Sequence, residues 1–185
     1  MSWSLLSHVV GVINLSIFLW VSLVNLVVGV TLQVVALPFD PKRKVCLWVN
    51  HLLWGRVLYR VLPAISLRRT ATADLGPGPY VVVCNHTSVL DIPACMGLRI
   101  PLRVVGKQSL DRVFLLGRYM RFTRQILLGT SEASVQRFLA QSHQALRDGI
   151  SVLIFPEGTR SLDARLARFN RGAFRVAKDA GVPVL

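Results

Sequence analysis

Residues 1–39 contain no Asp, Glu, Lys or Arg, and a start of that kind restricts the chain more than any other feature. The most apolar part, residues 9–37, would extend roughly 44 Å as one helix at about 1.5 Å per residue. A bilayer's hydrocarbon core is only about 30 Å thick, so the segment must either tilt or bend. Asn14, Ser16, Asn25, Gly29, Thr31 and Gln33 interrupt it. Polar and glycine positions at membrane depth suit a bent, re-entrant pair of short helices, and a single tilted span is the other solution. A cleaved leader fits less well, because no basic residue precedes the run and the run is too long for a leader's apolar core. Lys42, Arg43 and Lys44 follow at once. Such clusters normally stay on the cytoplasmic side of a membrane segment. The expectation is an anchor in the inner or cytoplasmic membrane over residues 1–40, with the rest of the chain facing the cytoplasm.

Every Lys and Arg lies after Pro41, and together they leave a net charge of +13. The part beyond the anchor must therefore sit against something negative. An anionic leaflet attracts basic residues by about 1 kcal/mol each, and nucleic acid attracts them through its phosphates. No nucleic-acid motif or aromatic stacking platform is recognisable, so anionic membrane lipids are the expected partner and nucleic acid is not. With 185 residues, the chain has room for one compact domain beside the anchor. Cys46, Cys84 and Cys95 share no C-x-x-C spacing and have no histidine cluster near them, which points to reduced thiols rather than disulfides or a metal site.

Residues 45–62 mix apolar side chains with Arg56, Arg60 and His51 at helical spacing. They predict an amphipathic helix, either lying on the bilayer or packed on the domain. Residues 64–67 read as a strand, which makes 41–78 a basic connector ending in a first strand. From residue 79 onward strands and helices alternate. Strands are predicted at 80–84, 102–105, 126–128 and 151–155, and helices at 89–96, 112–122, 132–147 and 172–180. Gly149 and Gly181 close the last two helices. The fold class is α/β, a mainly parallel sheet with helices on both faces, preceded by a hydrophobic helical anchor. Residues 182–185 begin one more strand, so the sheet is expected to continue past the end of this sequence.

Two clusters with chemical potential fall just after strands, where open α/β sheets place their sites. The first is Asn85-His86-Thr87-Ser88-Val89-Leu90-Asp91. An imidazole can take a proton from an alcohol, and a carboxylate reaching back to its other ring nitrogen fixes the tautomer and stabilises the imidazolium. His86 and Asp91 are the candidates for those roles, with a substrate hydroxyl as nucleophile. Ser88 is a rival nucleophile, but the chain has no G-x-S-x-G turn, and Ser88 is expected to cap the helix instead. The second cluster is Phe155-Pro156-Glu157-Gly158-Thr159-Arg160-Ser161. Arg160 offers a fork of donors suited to phosphate, and Gly158 lets backbone amides approach it. Glu157 either neutralises an arginine, orients Arg160 or holds a substrate hydroxyl. Lys107, after the third predicted strand, is either a phosphate or carbonyl ligand or a solvated side chain.

Together these residues resemble the glycerolipid acyltransferase superfamily, in particular its 1-acylglycerol-3-phosphate acyltransferases. Residues 85–91 match its N-H-x-x-x-x-D block, and residues 155–161 match its F-P-E-G-T-R-S block throughout. Gly106-Lys107-Gln108-Ser109-Leu110 followed by Gly117 resembles the second block, and Arg171-Gly172-Ala173 is similar to a further family segment. The resemblance covers roughly residues 79–185. It implies that His86, held by Asp91, deprotonates an acceptor hydroxyl that attacks the thioester of acyl-CoA or acyl carrier protein. Lys107, Glu157, Gly158, Thr159 and Arg160 would bind a lysophosphatidic acid or related lyso-lipid, with no metal and no cofactor beyond the acyl cosubstrate. There are two departures. Leu115 stands where a proline is usual, and the arginine that ends the second block is missing around Gly129-Thr130, with Arg124 or Arg121 as possible replacements.

That missing arginine keeps other acceptors open, namely glycerol 3-phosphate, a lyso-aminolipid or another lysophospholipid. A non-catalytic basic protein bound to membrane or nucleic acid would explain the charge but not the residue 155–161 block.

Overall fold

A computed structural model describes residues 5–63, 65–68, 70, 76, 78–161 and 165–185. The first helix, α1 (Leu5–Ala36), has 32 residues and is roughly 48 Å long. By length and composition it is able to cross a membrane. It runs without a break, so the polar positions do not bend it into a re-entrant pair. Instead, Val21, Asn25, Gly29 and Gln33 recur every fourth residue, forming the buried stripe of an otherwise exposed helix.

That stripe packs on α2 (Lys44–Leu52), which continues through a π-helical turn (Leu53–Val57) into α3 (Leu58–Val61). Asn25 donates its side-chain amide to Asn50 Oδ1 at 2.7 Å, and the Tyr119 hydroxyl donates to the same oxygen at 2.6 Å. The Cys46 amide donates to Gln33 Oε1 at 3.1 Å, and Trp54 Nε1 donates to Ser22 Oγ at 3.2 Å. Gly29 lies against Val49; a Cβ there would come 3.7 Å from the valine's Cγ1. Residues 45–62 are thus wedged between α1 and the domain, the second of the two expected placements.

Gly55 in the π turn meets the end of α4 (Asp91–Met96) so closely that a Cβ would fall 2.6 Å from the Gly97 backbone. The expected strand at 64–67 is absent for Ile65, Ser66 and Leu67, and Ala64 lies outside the described residues. Ile65 packs against Val21, Leu58 and Leu62, a helical surface that has no strand edge to pair with.

The sheet consists of β1 (Val81–Val83), β2 (Leu102–Lys107), β3 (Ile126–Leu128) and β4 (Ser151–Ile154) in the order β1-β4-β2-β3. All pairs are parallel, with Val83 opposite Ile154, Val104 opposite Leu153 and Lys107 opposite Leu128. Val184 makes an isolated parallel bridge to Val81 on the edge of β1 that β4 does not occupy. Side chains alternate across the sheet. Val81, Val152 and Ile154 join a core with Phe138, Leu139 and Leu146 of α6 (Glu132–Arg147) and Val176 of α7 (Gly172–Ala180). On the other face, Val82, Leu102, Val104 and Leu153 pack with Met96 of α4. A short 3-10 turn (Gln108–Arg112) and α5 (Phe114–Phe122) connect β2 to β3.

Parallel pairing brings every strand's C-terminal end to one edge, and α1 shows where that edge lies along the anchor. Near the C-terminal end of α1, Gln33 donates to the Asp40 carbonyl, and Lys42 pairs with Asp148, just before β4. Arg43 sits over the Phe122 ring. These contacts mark the opposite edge. Ile17, Phe18 and Val21 pack near Leu90, in the loop that leaves β1 at the C-terminal edge. Helix α1 therefore runs antiparallel to the strands, and its residues 5–16, roughly 18 Å of helix, project past the edge that carries the site.

Asn50→Leu would leave the Asn25 amide and the Tyr119 hydroxyl without their shared acceptor, at a cost of about 1–3 kcal/mol for each stranded group. Thermal unfolding in detergent should show a clearly lower midpoint; an unchanged midpoint would mean the seam contributes nothing.

Candidate active site

After β1 the chain turns sharply and enters α4, whose first residue is Asp91. Asp91 Oδ2 accepts the Thr87 and Ser88 backbone amides, each at 2.7 Å, and lies 3.0 Å from His86 Nδ1. Two amides hold the carboxylate before it meets the histidine, so its position is set by the loop. An ionised carboxylate only accepts hydrogen bonds, so Nδ1 carries the proton and the lone pair of the neutral ring is on Nε2. The ring is stacked on Phe155, with centroids 4.1 Å apart and planes at 24°. Exposures of 17% for the His86 side chain and 22% for Asp91 leave the pair accessible to a reactant. Ser88 Oγ accepts the Leu90 amide at 3.2 Å. It therefore closes the turn before α4 and does not cap the helix itself, whose N-cap is Leu90.

The loop after β4 is tied to this one through Glu157. Its Oε1 accepts the His86 amide and its Oε2 the Ala167 amide, both at 3.1 Å. The Ser161 amide donates to the His86 carbonyl at 2.8 Å, so the two loops are pinned on both sides of the histidine. Among the described residues Glu157 makes no ion pair with Arg160, and its carboxylate is spent on backbone. Gly158 has φ of 71°, in the region that favours glycine, and its amide closes a turn onto the Phe155 carbonyl at 3.0 Å. Gly158, Thr159 and Arg160 are exposed at the rim. Lys107 is also exposed, at the end of β2 and on the same edge.

Neither expected replacement for the missing arginine is available near Gly129. Arg124 precedes β3 and so lies at the opposite edge of the sheet. Arg121 is paired with the Asp111 carboxylate. At Gly129 the amide donates to Ser134 Oγ at 2.7 Å.

Two roles escaped sequence reasoning. Phe155 stood at the head of the residue 155–161 cluster, but nothing in the sequence assigned it the stacking contact with His86. Asn170 donates both its amide and its side chain to the Pro156 carbonyl, at 2.8 and 3.0 Å, steadying the turn that carries Glu157. No spacing rule signals it. Among the described residues, no group of three or more His, Cys, Asp and Glu is placed to hold a metal ion.

Cys84 and Cys95 share a hydrogen bond beside the site, which pushes the Cys84 thiol below the ordinary range and, with burial, pushes Cys95 up. Cys46, far from them and buried, is pushed up to about 12 by desolvation.

Comparisons with known proteins are consistent with one another. The family model described as Acyltransferase matches residues 58–185. A 1-acyl-sn-glycerol-3-phosphate acyltransferase of Chlamydomonas reinhardtii is 34% identical over 91% of this chain and 52% of its own length. The protein of the same name from Pseudomonas aeruginosa is 29% identical over 75% of this chain and 53% of its own. The crystal structure of the 1-acyl-sn-glycerophosphate (LPA) acyltransferase PlsC from Thermotoga maritima superposes with a TM-score of 0.71. It shares 22% identity, covers 94% of this chain and 71% of that one, and so establishes the likeness of fold. The chain spans about half the length of these two curated relatives.

Glu157→Gln would turn an amide N–H₂ toward one of the two backbone amides its carboxylate accepts, a mismatch costing about 1–3 kcal/mol. Hydrogen exchange at His86 and Ala167 should accelerate, while the α6 amides should keep their protection. Cys84 should gain thiolate at lower pH than an ordinary thiol, whereas Cys46 should need pH near 12. Alkylation at neutral pH, read by peptide mass spectrometry, should therefore modify Cys84 well before Cys46; the reverse order would contradict the geometry.

Proposed function

The chain belongs to the acyltransferase family, and we propose that it transfers an acyl chain from acyl-CoA or acyl carrier protein to the free hydroxyl of 1-acylglycerol 3-phosphate, giving phosphatidic acid. The observation that carries this reading is the His86–Asp91 pair, with Nδ1 committed to the carboxylate and Nε2 left as base. Nε2 takes the hydroxyl proton as the oxygen attacks the thioester carbonyl, and the imidazolium so formed is stabilised by Asp91. Collapse of the tetrahedral intermediate expels the thiolate, which recovers the proton from Nε2. This chemistry draws on the acyl thioester as cosubstrate and on no resident cofactor or metal. Stacking on Phe155 and the Glu157 bond to the His86 amide keep the ring in place through both proton transfers.

Arg160, Lys107 and the Thr159 hydroxyl stand at the same edge for the acceptor's phosphate, with Arg160 suited to bidentate contact; the Gly158 amide is spent on the Phe155 carbonyl, so Gly158 shapes the turn and donates nothing to the ligand. Glu157 contributes by holding the loop that presents them. An open apolar groove of about 450 Å³ between α1 and α3, lined by Ser16, Ile17, Trp20, Val21, Val57 and Val61, offers a bed for an acyl chain. The names of the relatives from Chlamydomonas and Pseudomonas support lysophosphatidic acid as acceptor. The basic cluster at Lys42, Arg43 and Lys44 supports a cytoplasmic placement of the domain at the inner or cytoplasmic membrane.

One observation favours a second acceptor class. With Arg121 paired to Asp111 and Arg124 at the far edge, the second block supplies fewer cations than the family pattern implies. A lyso-lipid lacking a terminal phosphate, such as a lyso-aminolipid, is the alternative this favours; glycerol 3-phosphate carries the same phosphate and is not favoured by it.

Release of free thiol from one acyl-CoA, measured against lysophosphatidic acid, glycerol 3-phosphate and a lyso-aminolipid, separates these readings. Lysophosphatidic acid should be consumed fastest; another acceptor in first place would transfer the reading to that class. His86→Ala should lower the rate by about 10²–10⁴ with membrane binding and unfolding midpoint unchanged. Asp91→Asn should also be slow, through the wrong tautomer, and full activity in either variant would remove the pair from the chemistry.

A further inference from the structure

Past β2, at the edge that carries His86, the chain exposes an apolar surface that neither the fold nor the proposed chemistry uses. Val113 is 51% exposed, Phe114 71%, Leu115 53% and Leu116 39%. Gly117 and Met120 are the buried face of α5, so these four side chains do not complete the core. Exposed Arg112 and Arg118 flank them, and the Arg118 guanidinium lies 4.2 Å from the centre of the Phe114 ring. Four consecutive exposed apolar residues are unusual on a monomeric soluble surface and mark a contact site.

We propose that residues 112–118 form a second membrane contact, separate from α1, that inserts its apolar side chains among the headgroups of an anionic leaflet while Arg112 and Arg118 engage lipid phosphates. Two observations identify the bilayer as occupant. The first is height. Tyr119 of α5 and Asn25 of α1 bond the same Asn50 oxygen, and both helices run away from the site edge. Phe114, five residues before Tyr119, therefore stands level with Trp20, five residues before Asn25, on the exposed apolar surface of α1. The exposed apolar surface of α1 extends beyond Trp20 in both directions, from Leu5 to Val35, so Phe114 stands at a height at which α1 itself offers apolar side chains to lipid.

The second is chemistry. The rest of the same edge repeats the pattern, with exposed Val89 in the His86 loop and exposed Leu166 and Phe169 set among Arg160, Arg168 and Arg171. Apolar side chains interleaved with arginines suit the boundary between headgroups and acyl chains, where an anionic surface attracts each basic residue. A protein groove would use the apolar residues without needing the excess positive charge. The inference stands on placement and composition and does not depend on the acyl-transfer reading.

The test is photocrosslinking of the full chain with Phe114→p-benzoylphenylalanine, which keeps an apolar aromatic at the position, in phosphatidylcholine vesicles with and without phosphatidylglycerol. Arg147→p-benzoylphenylalanine, exposed at the end of α6 on the opposite edge, is the control. Lipid adducts should be several-fold more abundant at 114 than at 147. They should increase with phosphatidylglycerol and decrease when Arg112→Gln and Arg118→Gln are added. Equal labelling at the two positions, labelling at 114 indifferent to the anionic lipid, or crosslinks from 114 to protein in place of lipid would each overturn the proposal. Thiol release is not read in this experiment, so a failure here leaves the catalytic reading untouched.

Discussion

The contact on which the rest of the molecule depends is the seam between α1 and α2, where Asn25, Asn50 and Tyr119 share one buried oxygen. An amide buried among apolar side chains without a partner costs about 1–3 kcal/mol, so α1 cannot slide or rotate by one residue without stranding Asn25 and Gln33 together. The fourfold spacing of Val21, Asn25, Gly29 and Gln33 confines these demands to a single face and leaves the remainder of the helix free for lipid. Because Tyr119 belongs to α5 of the α/β domain, the seam also fixes the height of the sheet along α1. A helix held by apolar contacts alone would tolerate several registers; polar pairing selects one.

The second constraint is the parallel sheet, which puts every strand end at a single edge and lets loops distant in sequence meet there. Asp91 and Glu157 then do complementary jobs. Asp91 divides one oxygen between two loop amides and the imidazole, which fixes the side chain of His86. Glu157 takes the His86 backbone amide with one oxygen and the Ala167 amide with the other, which fixes the main chain. A histidine held at both points has little freedom to move, and its proposed role as base would draw on that pre-organisation.

The parts of this architecture legible in the sequence were those governed by local rules. Helices α6 and α7 have the expected bounds because Ser131 caps one start and Gly149 and Gly181, at positive φ, end them. The alternation of strand and helix was enough to anticipate a mainly parallel sheet, and strand ends are where His86, Lys107 and Glu157 stand. Several contacts decided by a partner far along the chain were missed. Asn25 looked like a break in a membrane helix because its partner Asn50 is 25 residues away. Ile65 looked like part of a strand because nothing local reveals that it meets α1 and α3. Glu157, in an arginine-rich chain, suggested an ion pair, an orienter of Arg160 or a holder of a substrate hydroxyl, but its partners are two backbone amides, and backbone amides have no sequence signature. Arg124 seemed close enough to serve the site until the direction of β3 placed it at the other edge.

Charge shows the same divide between composition and placement. A net charge of +13 suggests a uniformly basic face, yet the cations nearest the anchor are committed internally. Lys42 is paired to Asp148, Arg43 lies over Phe122, and the Lys42 carbonyl accepts from Arg103. These contacts clamp the C-terminal end of α1 to the edge farthest from the site. The arginines still exposed at the edge that carries His86, Arg112, Arg118, Arg160, Arg168 and Arg171, stand among Phe114, Leu115, Leu166 and Phe169. One set of cations therefore holds the domain on α1, and the other is left where His86 opens, so the seam, the sheet direction and the surface charge agree with the proposed contact of that edge with lipid.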